Sequence, residues 1–391
     1  MAHHRLSLHP PALWHGAGAA LREIAARWRG TAPAVPADAR TAASSGQPKV
    51  ALALQGGGAH GAFTWGVVDA MLENGVAFEA VSGTSAGAFN AVFLAQGWLD
   101  GGPQGAREAL STLWSRIGAK AAFSPLRANL FDQLANGWNM DNSSSHVGFD
   151  LFSRVLSPYQ FNPLDMNPLR DLLRDLIDFG RIRRNRRIRL FIAATDVESG
   201  RLRIFRTREI TEDVILASAT LPWLHQAVEI EGRHYWDGGF TANPPLMPLV
   251  SECGARDLVL VRLDSGAAES VPVSARAIQA RLNRILFTGP LNHDLDELSD
   301  LQALARSGQL RGTLARNLLD MRLHVIDGGD ALEPFGQSSK MNAHRSFLRE
   351  LHGLGREHGA AWILAPSGDR LVTLGDDYVG EIAGDGGSRA S

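Results

Sequence analysis

Two short apolar runs, VALAL (50–54) and FEAVS (78–82), each lead directly into a glycine-rich turn and then into a helix-forming stretch. After the first comes QGGGAHG and then AFTWGVVDAMLEN, where Val67, Val68, Met71 and Leu72 mark one helical face and Gly75 is placed to stop it. After the second comes GTSAG and then AFNAVFLAQG. A β-turn-α-β-turn-α order leaves little topological choice. Strands joined by helical crossovers lie parallel, and a parallel sheet is covered on both faces, which suits apolar runs that do not alternate. The chain is therefore expected to be α/β, a three-layer α/β/α arrangement around a mostly parallel central sheet. In such sheets ligands sit beyond the carboxyl ends of the strands, where both glycine-rich turns fall.

Further along, RIRLFIAAT, RLRIFR, EIEGRHYW and RDLVLVRL each read as a strand, with TEDVILASA a helix between the second and third. Residues 1–46 hold one helix-capable piece, Ala12 to Trp28, followed by an Ala/Pro/Ser-rich segment that cannot bury enough apolar surface to order itself. They are expected to form a tail and linker. The α/β domain is expected over 47–265, with a loop-rich, aromatic-rich cover at about 100–167. Residues 266–391 are expected to form a mainly helical C-terminal extension with a frayed end, including a strand at MRLHVI (321–326) and an amphipathic stretch from Met341 to Leu354.

Bulk properties narrow the function classes. Of 391 residues, 45 % are hydrophobic and the formal charge is −2, so no basic excess exists to draw nucleic acid. Cys253 is the one cysteine, which excludes an intrachain disulfide and a thiolate metal cluster and fits a reducing compartment. The first residues lack the h-region of a secretory signal, and no run reaches the length of a spanning helix. The expected location is cytoplasmic, with contact at the inner membrane face at most peripheral. The oligomeric state is not legible.

The chemistry concentrates in the two turns. In GTSAG, Ser85 lies between Gly83 and Gly87 after a strand and before a helix, the setting of a nucleophile held on a tight turn. It also opens a helix whose unpaired N–H groups favour developing negative charge. QGGGAHG, which ends at Gly61, fits G-x-G-x-x-G, but a dinucleotide site expects an acidic residue at the end of the next strand, and that strand ends in SGTSAG. The better account is that Gly56, Gly57 and Gly58 present backbone N–H groups beside Ser85 as an oxyanion hole.

A serine nucleophile needs a base. No local signature places His60, His225, His234, His324 or His344 opposite Ser85. Asp237, in HYWDGGFTANPPL, follows a strand directly, and Gly238 and Gly239 would let its carboxylate approach another loop closely.

GGGAHG, GTSAG and DGG occur in this order, and over Val50 to Leu249 the chain resembles the patatin-like phospholipase family, including in AATDVESG and ASATLPWLHQAVEIEGRHYWDGG. The resemblance implies a lipid acyl hydrolase with a Ser/Asp dyad and no catalytic histidine, Ser85 as nucleophile and Asp237 as base. It implies no metal or cofactor and a lipid or acyl ester as substrate. His60 stands where the family commonly has Lys or Arg, a departure that bears on phospholipid preference more than on ester hydrolysis; its readings are a direct role in the site, or packing or capping. Rival functions are a Ser-His-Asp esterase, an acyltransferase using the same serine, and a catalytically silent lipid-binding protein. The arginine run RIRRNRRIR (181–189) reads as a solvated loop or an anionic-surface contact, and Asp196 as a structural residue of a strand-end turn.

Overall fold

The computed structural model describes residues 49–121, 138–139, 156–267 and 270–365. The expected tail, the part of the cover at 122–137 and 140–155, and the frayed end lie outside the described residues. Among the described residues eight strands form one sheet: β1 (Lys49–Leu54), β2 (Ala77–Gly83), β3 (Arg189–Asp196), β4 (Leu202–Arg206), β5 (Val228–Ile230), β6 (Arg233–Asp237), β7 (Asp257–Arg262) and β8 (Arg322–Asp327). Their order is β5-β6-β3-β2-β1-β7-β8, with β4 also pairing β3. The run from β3 to β8 is parallel, while β4, β5 and β6 make antiparallel pairs. Ala51, Leu52, Ala53 and Leu54 have no exposed surface, as befits a central strand covered on both faces.

Helices of at least seven residues are α1 (Gly61–Glu73), α2 (Ala86–Ala121), α3 (Pro168–Leu176), α4 (Glu212–Ser218), α5 (Ala275–Arg306), α6 (Thr313–Asp320) and α7 (Arg345–Leu364). They flank the sheet. Two sequence expectations need correction. The loop-rich cover does not begin near residue 100, because Gly101 and Gly102 only interrupt α2, Pro103 restarts it, and Ala106, Leu110, Leu113 and Trp114 are buried beyond. EIEGRHYW is not one strand but a hairpin, turned where Glu231 and Gly232 take φ of 53° and 76°.

The C-terminal part is mainly helical and also contributes β8, which pairs with β7 at the sheet edge. Phe347, Leu348 and Leu351 bury one face of α7, and its glycines let it lie unusually close to α1. A Cβ added at Gly355 would sit 2.0 Å from the Phe63 carbonyl oxygen, and one at Gly66 would sit 2.1 Å from that of His352. Among the described residues no helix is long and apolar enough to cross a membrane.

The backbone contact between α1 and α7 predicts a split result for alanine substitution. Gly66→Ala or Gly355→Ala forces the helices apart and costs about 2–4 kcal/mol of stability, whereas Gly353→Ala, where a Cβ meets open space, gains up to about 1 kcal/mol of helix propensity. Urea denaturation of the three variants checks this.

Candidate active site

Ser85 stands at the carboxyl end of β2, immediately before α2, with φ of 54°. For a side-chain-bearing residue this left-handed conformation costs about 1–2 kcal/mol and persists only where the surroundings impose it. Here they do. A Cβ on Gly83 would lie 2.5 Å from the Gly87 oxygen, and one on Gly87 would lie 2.1 Å from the Leu54 oxygen, so strand and helix meet at a separation that admits no side chain. The Ser85 N–H donates to Ser218 Oγ at 3.0 Å, the Gly87 N–H to the Thr84 oxygen at 2.8 Å, and Thr84 Oγ1 to the Ala242 oxygen at 2.8 Å.

Asp237 ends β6, antiparallel to β3, and pairs with Ala194, two residues past the partner of Gly83. β3 is thus the spacer that brings residues 85 and 237 together. The Asp237 backbone is fixed by its N–H to the Thr220 oxygen (2.8 Å) and by Thr195 Oγ1 donating to its oxygen (2.8 Å). A Cβ at Gly238 would come within 2.4 Å of the Ala193 oxygen, so the D-G-G turn packs directly on β3.

The Asp237 carboxyl is buried. Its Oδ1 accepts the Gly239 N–H at 2.7 Å. Oδ2 has no hydrogen-bond partner among the described residues, yet the Ser85 hydroxyl lies close enough to interact with the carboxyl. Burial pushes the carboxyl up to about 7, against the smaller opposing pull of the Gly239 N–H and the Ser85 hydroxyl.

The glycine loop closes the third side. A Cβ on Gly56 would fall 2.8 Å from Ser85 Cβ, and one on Gly61 would fall 2.7 Å from Ala86 Cβ, which sets the loop against the nucleophile turn. One expectation is corrected. The Gly56 N–H, taken with those of Gly57 and Gly58 as an oxyanion donor, is spent on Asn243 Oδ1 at 2.7 Å. The N–H groups of Gly57 and Gly58 find no acceptor among the described residues. Gly58 has φ of 57°, and a side chain there would strike the Lys340 oxygen at 2.3 Å.

Asn243 was not legible as a site residue. Besides holding Gly56, it donates Nδ2–H to the Phe287 oxygen at 2.9 Å, bracing the glycine loop against α5. Its only sequence signal is its place in TANPP shortly after D-G-G. Lys340 and Asp264 gave no signal at all. Asp264 Oδ2 accepts from Lys340 Nζ at 2.9 Å and its Oδ1 from Arg284 Nε at 2.7 Å, placing cationic groups beside the glycine loop.

His60 is buried, its Nε2 2.7 Å from Ser339 Oγ and its ring edge-on to Phe335 and Phe347. Burial and Lys340 bring its pKa down to about 3 despite Asp264, so the ring is neutral. Of the other candidate histidines, His234 Nδ1 pairs with Glu198, His324 Nε2 with Asp257, His344 caps α7, and burial lowers the pKa of His225, near Asp165. Asp196 accepts from Ser199 and Arg233 at the end of β3, which together hold its carboxyl at about 2. Burial raises the Cys253 thiol to about 12. The arginine run leads into the amino end of β3, the end opposite to Ser85.

Phe240 and Phe287, with ring centroids 4.9 Å apart, and Trp223 6.2 Å from Phe240 form an aromatic group beside Gly239. Among the described residues no cluster of three His, Cys, Asp or Glu could hold a metal ion. A hydroxyl facing a carboxylate that ionises near neutrality, with unengaged backbone N–H groups alongside, is a set suited to acyl transfer.

The raised carboxyl also carries a stability consequence. The folded state binds a proton that the unfolded state releases between about pH 4 and pH 7, so stability falls as pH rises through that window. Asp237→Asn removes the fall. Its gain in stability over wild type is expected to be near zero below about pH 4 and about 4 kcal/mol above pH 7, read by thermal unfolding at pH 4 and pH 8.

Residues 52–250, just over half of the chain, match the family model described as patatin-like phospholipase. No curated protein matches. Among solved structures, VipD from Legionella pneumophila is similar at 16 % identity and a TM-score of 0.35, covering 81 % of this chain and 68 % of that one. A chain of the complex of full-length SpcU with full-length ExoU, from the type III secretion system of Pseudomonas aeruginosa, is similar at 15 % identity and a TM-score of 0.25. That match covers 68 % of this chain and 58 % of that one. With the family model spanning the glycine loop, the serine turn and D-G-G alike, the chain belongs to the patatin-like phospholipase family and is a hydrolase of lipid carboxylic esters.

Proposed function

We propose that the protein cleaves acyl esters of phospholipids or related lipids through a Ser85/Asp237 dyad. The observation that carries this reading is the buried Asp237 carboxyl, whose Oδ2 is committed to no other group among the described residues while Ser85 lies beside it. Ser85 Oγ attacks the ester carbonyl carbon and passes its proton to Asp237. The tetrahedral oxyanion accepts hydrogen bonds from the Gly57 and Gly58 N–H groups. On collapse the carbon–oxygen bond to the leaving alcohol breaks, Asp237 returns the proton to that alcohol, and Ser85 is left acylated. Water then attacks the acyl carbon, gives a proton to Asp237, and collapse regenerates the serine hydroxyl with release of the fatty acid.

The raised pKa serves this cycle. A carboxylate of ordinary basicity takes a proton poorly, while one that ionises near 7 is matched to neutral pH. The carboxylate form is the base, so kcat/KM rises with pH through about 7. Positive charge for a lipid phosphate, missing at position 60, comes in this reading from Lys340, which Asp264 holds beside the glycine loop.

The aromatic group at Trp223, Phe240 and Phe287 offers an apolar surface for the acyl chain. A histidine-based triad has less support, because His60, His234, His324 and His344 are each engaged away from Ser85.

Hydrolysis across phospholipids, acylglycerols and short-chain esters tests the assignment. Ser85→Ala and Asp237→Asn are each expected to lower kcat/KM by about 10³-fold or more, and Gln at 225, 234, 324 or 344 by less than about 10-fold. A histidine variant as inactive as Ser85→Ala, with Asp237→Asn active, would reverse the choice of base. Wild-type protein that reacts with a fluorophosphonate ester no better than Ser85→Ala would mark a silent lipid binder.

A further inference from the structure

The glycine loop is held by a piece of chain that lies outside the family match. That match ends at residue 250, while the segment 336–341, which includes the turn Ser338–Met341, belongs to the C-terminal part. The segment meets the loop at three points. In the middle, a Cβ on Gly58 would fall 2.3 Å from the Lys340 carbonyl oxygen, so the two backbones are in direct contact. On the side of Gln55, Lys340 Nζ and Gln337 Nε2 both donate to Asp264 Oδ2, at 2.9 and 3.0 Å. Asp264 is tied in turn to Gln55, whose Oε1 accepts the N–H groups of Leu263 and Asp264 at 2.6 and 3.0 Å. On the far side, His60 Nε2 stands 2.7 Å from Ser339 Oγ, a pairing across 279 positions of sequence.

A proton count gives this last bond its direction. A serine hydroxyl has one proton to donate, and that of Ser339 goes to the Gly336 oxygen at 2.8 Å. Ser339 Oγ is therefore the acceptor, and His60 carries its proton on Nε2. Burial keeps the ring neutral, so Nδ1 bears no proton, and it has no hydrogen-bond partner among the described residues. Both side chains are buried, so breaking the pair strands a donor.

The bond reaches the oxyanion donors through the backbone. The His60 N–H donates to the Gly57 oxygen at 3.1 Å. That oxygen shares a planar peptide with the Gly58 N–H and lies trans to it, so the placing of His60 sets the direction in which the Gly58 N–H points. Glycines cannot hold such a turn by themselves.

We infer that Ser339 is a positioning residue for the hydrolysis: by accepting the His60 Nε2–H it fixes the turn that aims the Gly57 and Gly58 N–H groups at the oxyanion. The inference rests on the reading of the site as a Ser85/Asp237 hydrolase. It gives His60 a part in the reaction that requires no contact with substrate, and the C-terminal part a share in the chemistry.

The test uses the full-length protein, a water-soluble short-chain ester, and a trifluoromethyl ketone, whose adduct with a serine oxygen carries an oxyanion as the transition state does. Rates are expressed per reactive serine, counted by fluorophosphonate labelling run to completion, so that loss of folded protein does not enter. Ser339→Ala and His60→Leu are each expected to lower kcat ~10-fold or more, to leave KM within about threefold, and to weaken the ketone by the factor lost in kcat. The ionisation at about 7 in the pH profile is expected to stay, because Asp237 is untouched. His60→Gln keeps an N–H donor at similar reach and is expected to retain kcat within about threefold of wild type. His60→Leu/Ser339→Ala leaves no donor unpaired, so it is expected to fold even where a single variant does not, with a kcat no lower than that of the slower single variant.

Ser85→Ala is expected to be inactive. If it hydrolyses the ester as wild type does, the dyad reading fails and takes the inference with it. If Ser85→Ala is inactive while Ser339→Ala, His60→Leu and their combination keep the wild-type kcat per reactive serine, the inference alone fails. A rise in KM at unchanged kcat, ketone binding that does not follow kcat, or His60→Gln as slow as His60→Leu likewise overturns it.

Discussion

Everything at this site depends on keeping one carboxyl group away from water. Asp237 is 1 % exposed, and among the described residues one N–H, that of Gly239, is all that the backbone offers its side chain. An ionised carboxylate with so little solvation is costly, and the cost appears as a pKa raised to about 7. A carboxylate given two or three more donors would be comfortable and useless as a base. The fold leaves Oδ2 without such donors and sets a serine hydroxyl beside it. A carboxyl group that ionises near neutral pH is thus a product of packing.

That packing is assembled from remote pieces by close backbone approach. Gly83, Gly87 and Gly238 each sit where a Cβ would overlap a carbonyl oxygen, so β2, α2 and the D-G-G turn lie against β1 and β3 at separations that side chains would prevent. Polar side chains lock the pieces in register: Ser218 holds the Ser85 amide, Thr84 reaches Ala242, and Asn243 spans from Gly56 to Phe287. The strained φ of Ser85 is the local consequence of this crowding. The Ser85 hydroxyl comes close enough to the Asp237 carboxyl to interact with it.

The parts of this arrangement legible in the sequence are those with short-range signatures. Two strand–glycine–helix units announce a parallel sheet because few other structures tolerate glycine at such spacing between apolar runs. D-G-G after a strand announces a carboxylate meant to approach another loop. What could not be read was anything that depends on which distant group takes which hydrogen bond. Gly56 looked equivalent to Gly57 and Gly58 until Asn243, far along the chain, proved to occupy its N–H. The cations beside the glycine loop come from α5 and from the turn at Ser338–Met341, whose local sequences carry no mark of it. The hairpin at Glu231–Gly232 was hidden because glutamate seldom takes a left-handed conformation, so two strands read as one.

The central claim is that the proton of Ser85 goes to a desolvated carboxylate. Its most direct test is the rate at which a fluorophosphonate ester labels Ser85 as a function of pH, since labelling reports nucleophile activation without the later steps of turnover. The account predicts a rate in wild type that climbs through a single ionisation at about pH 7 and a slow rate without that ionisation in Asp237→Asn. Labelling of the variant as fast as wild type, with the same pH dependence, would contradict it.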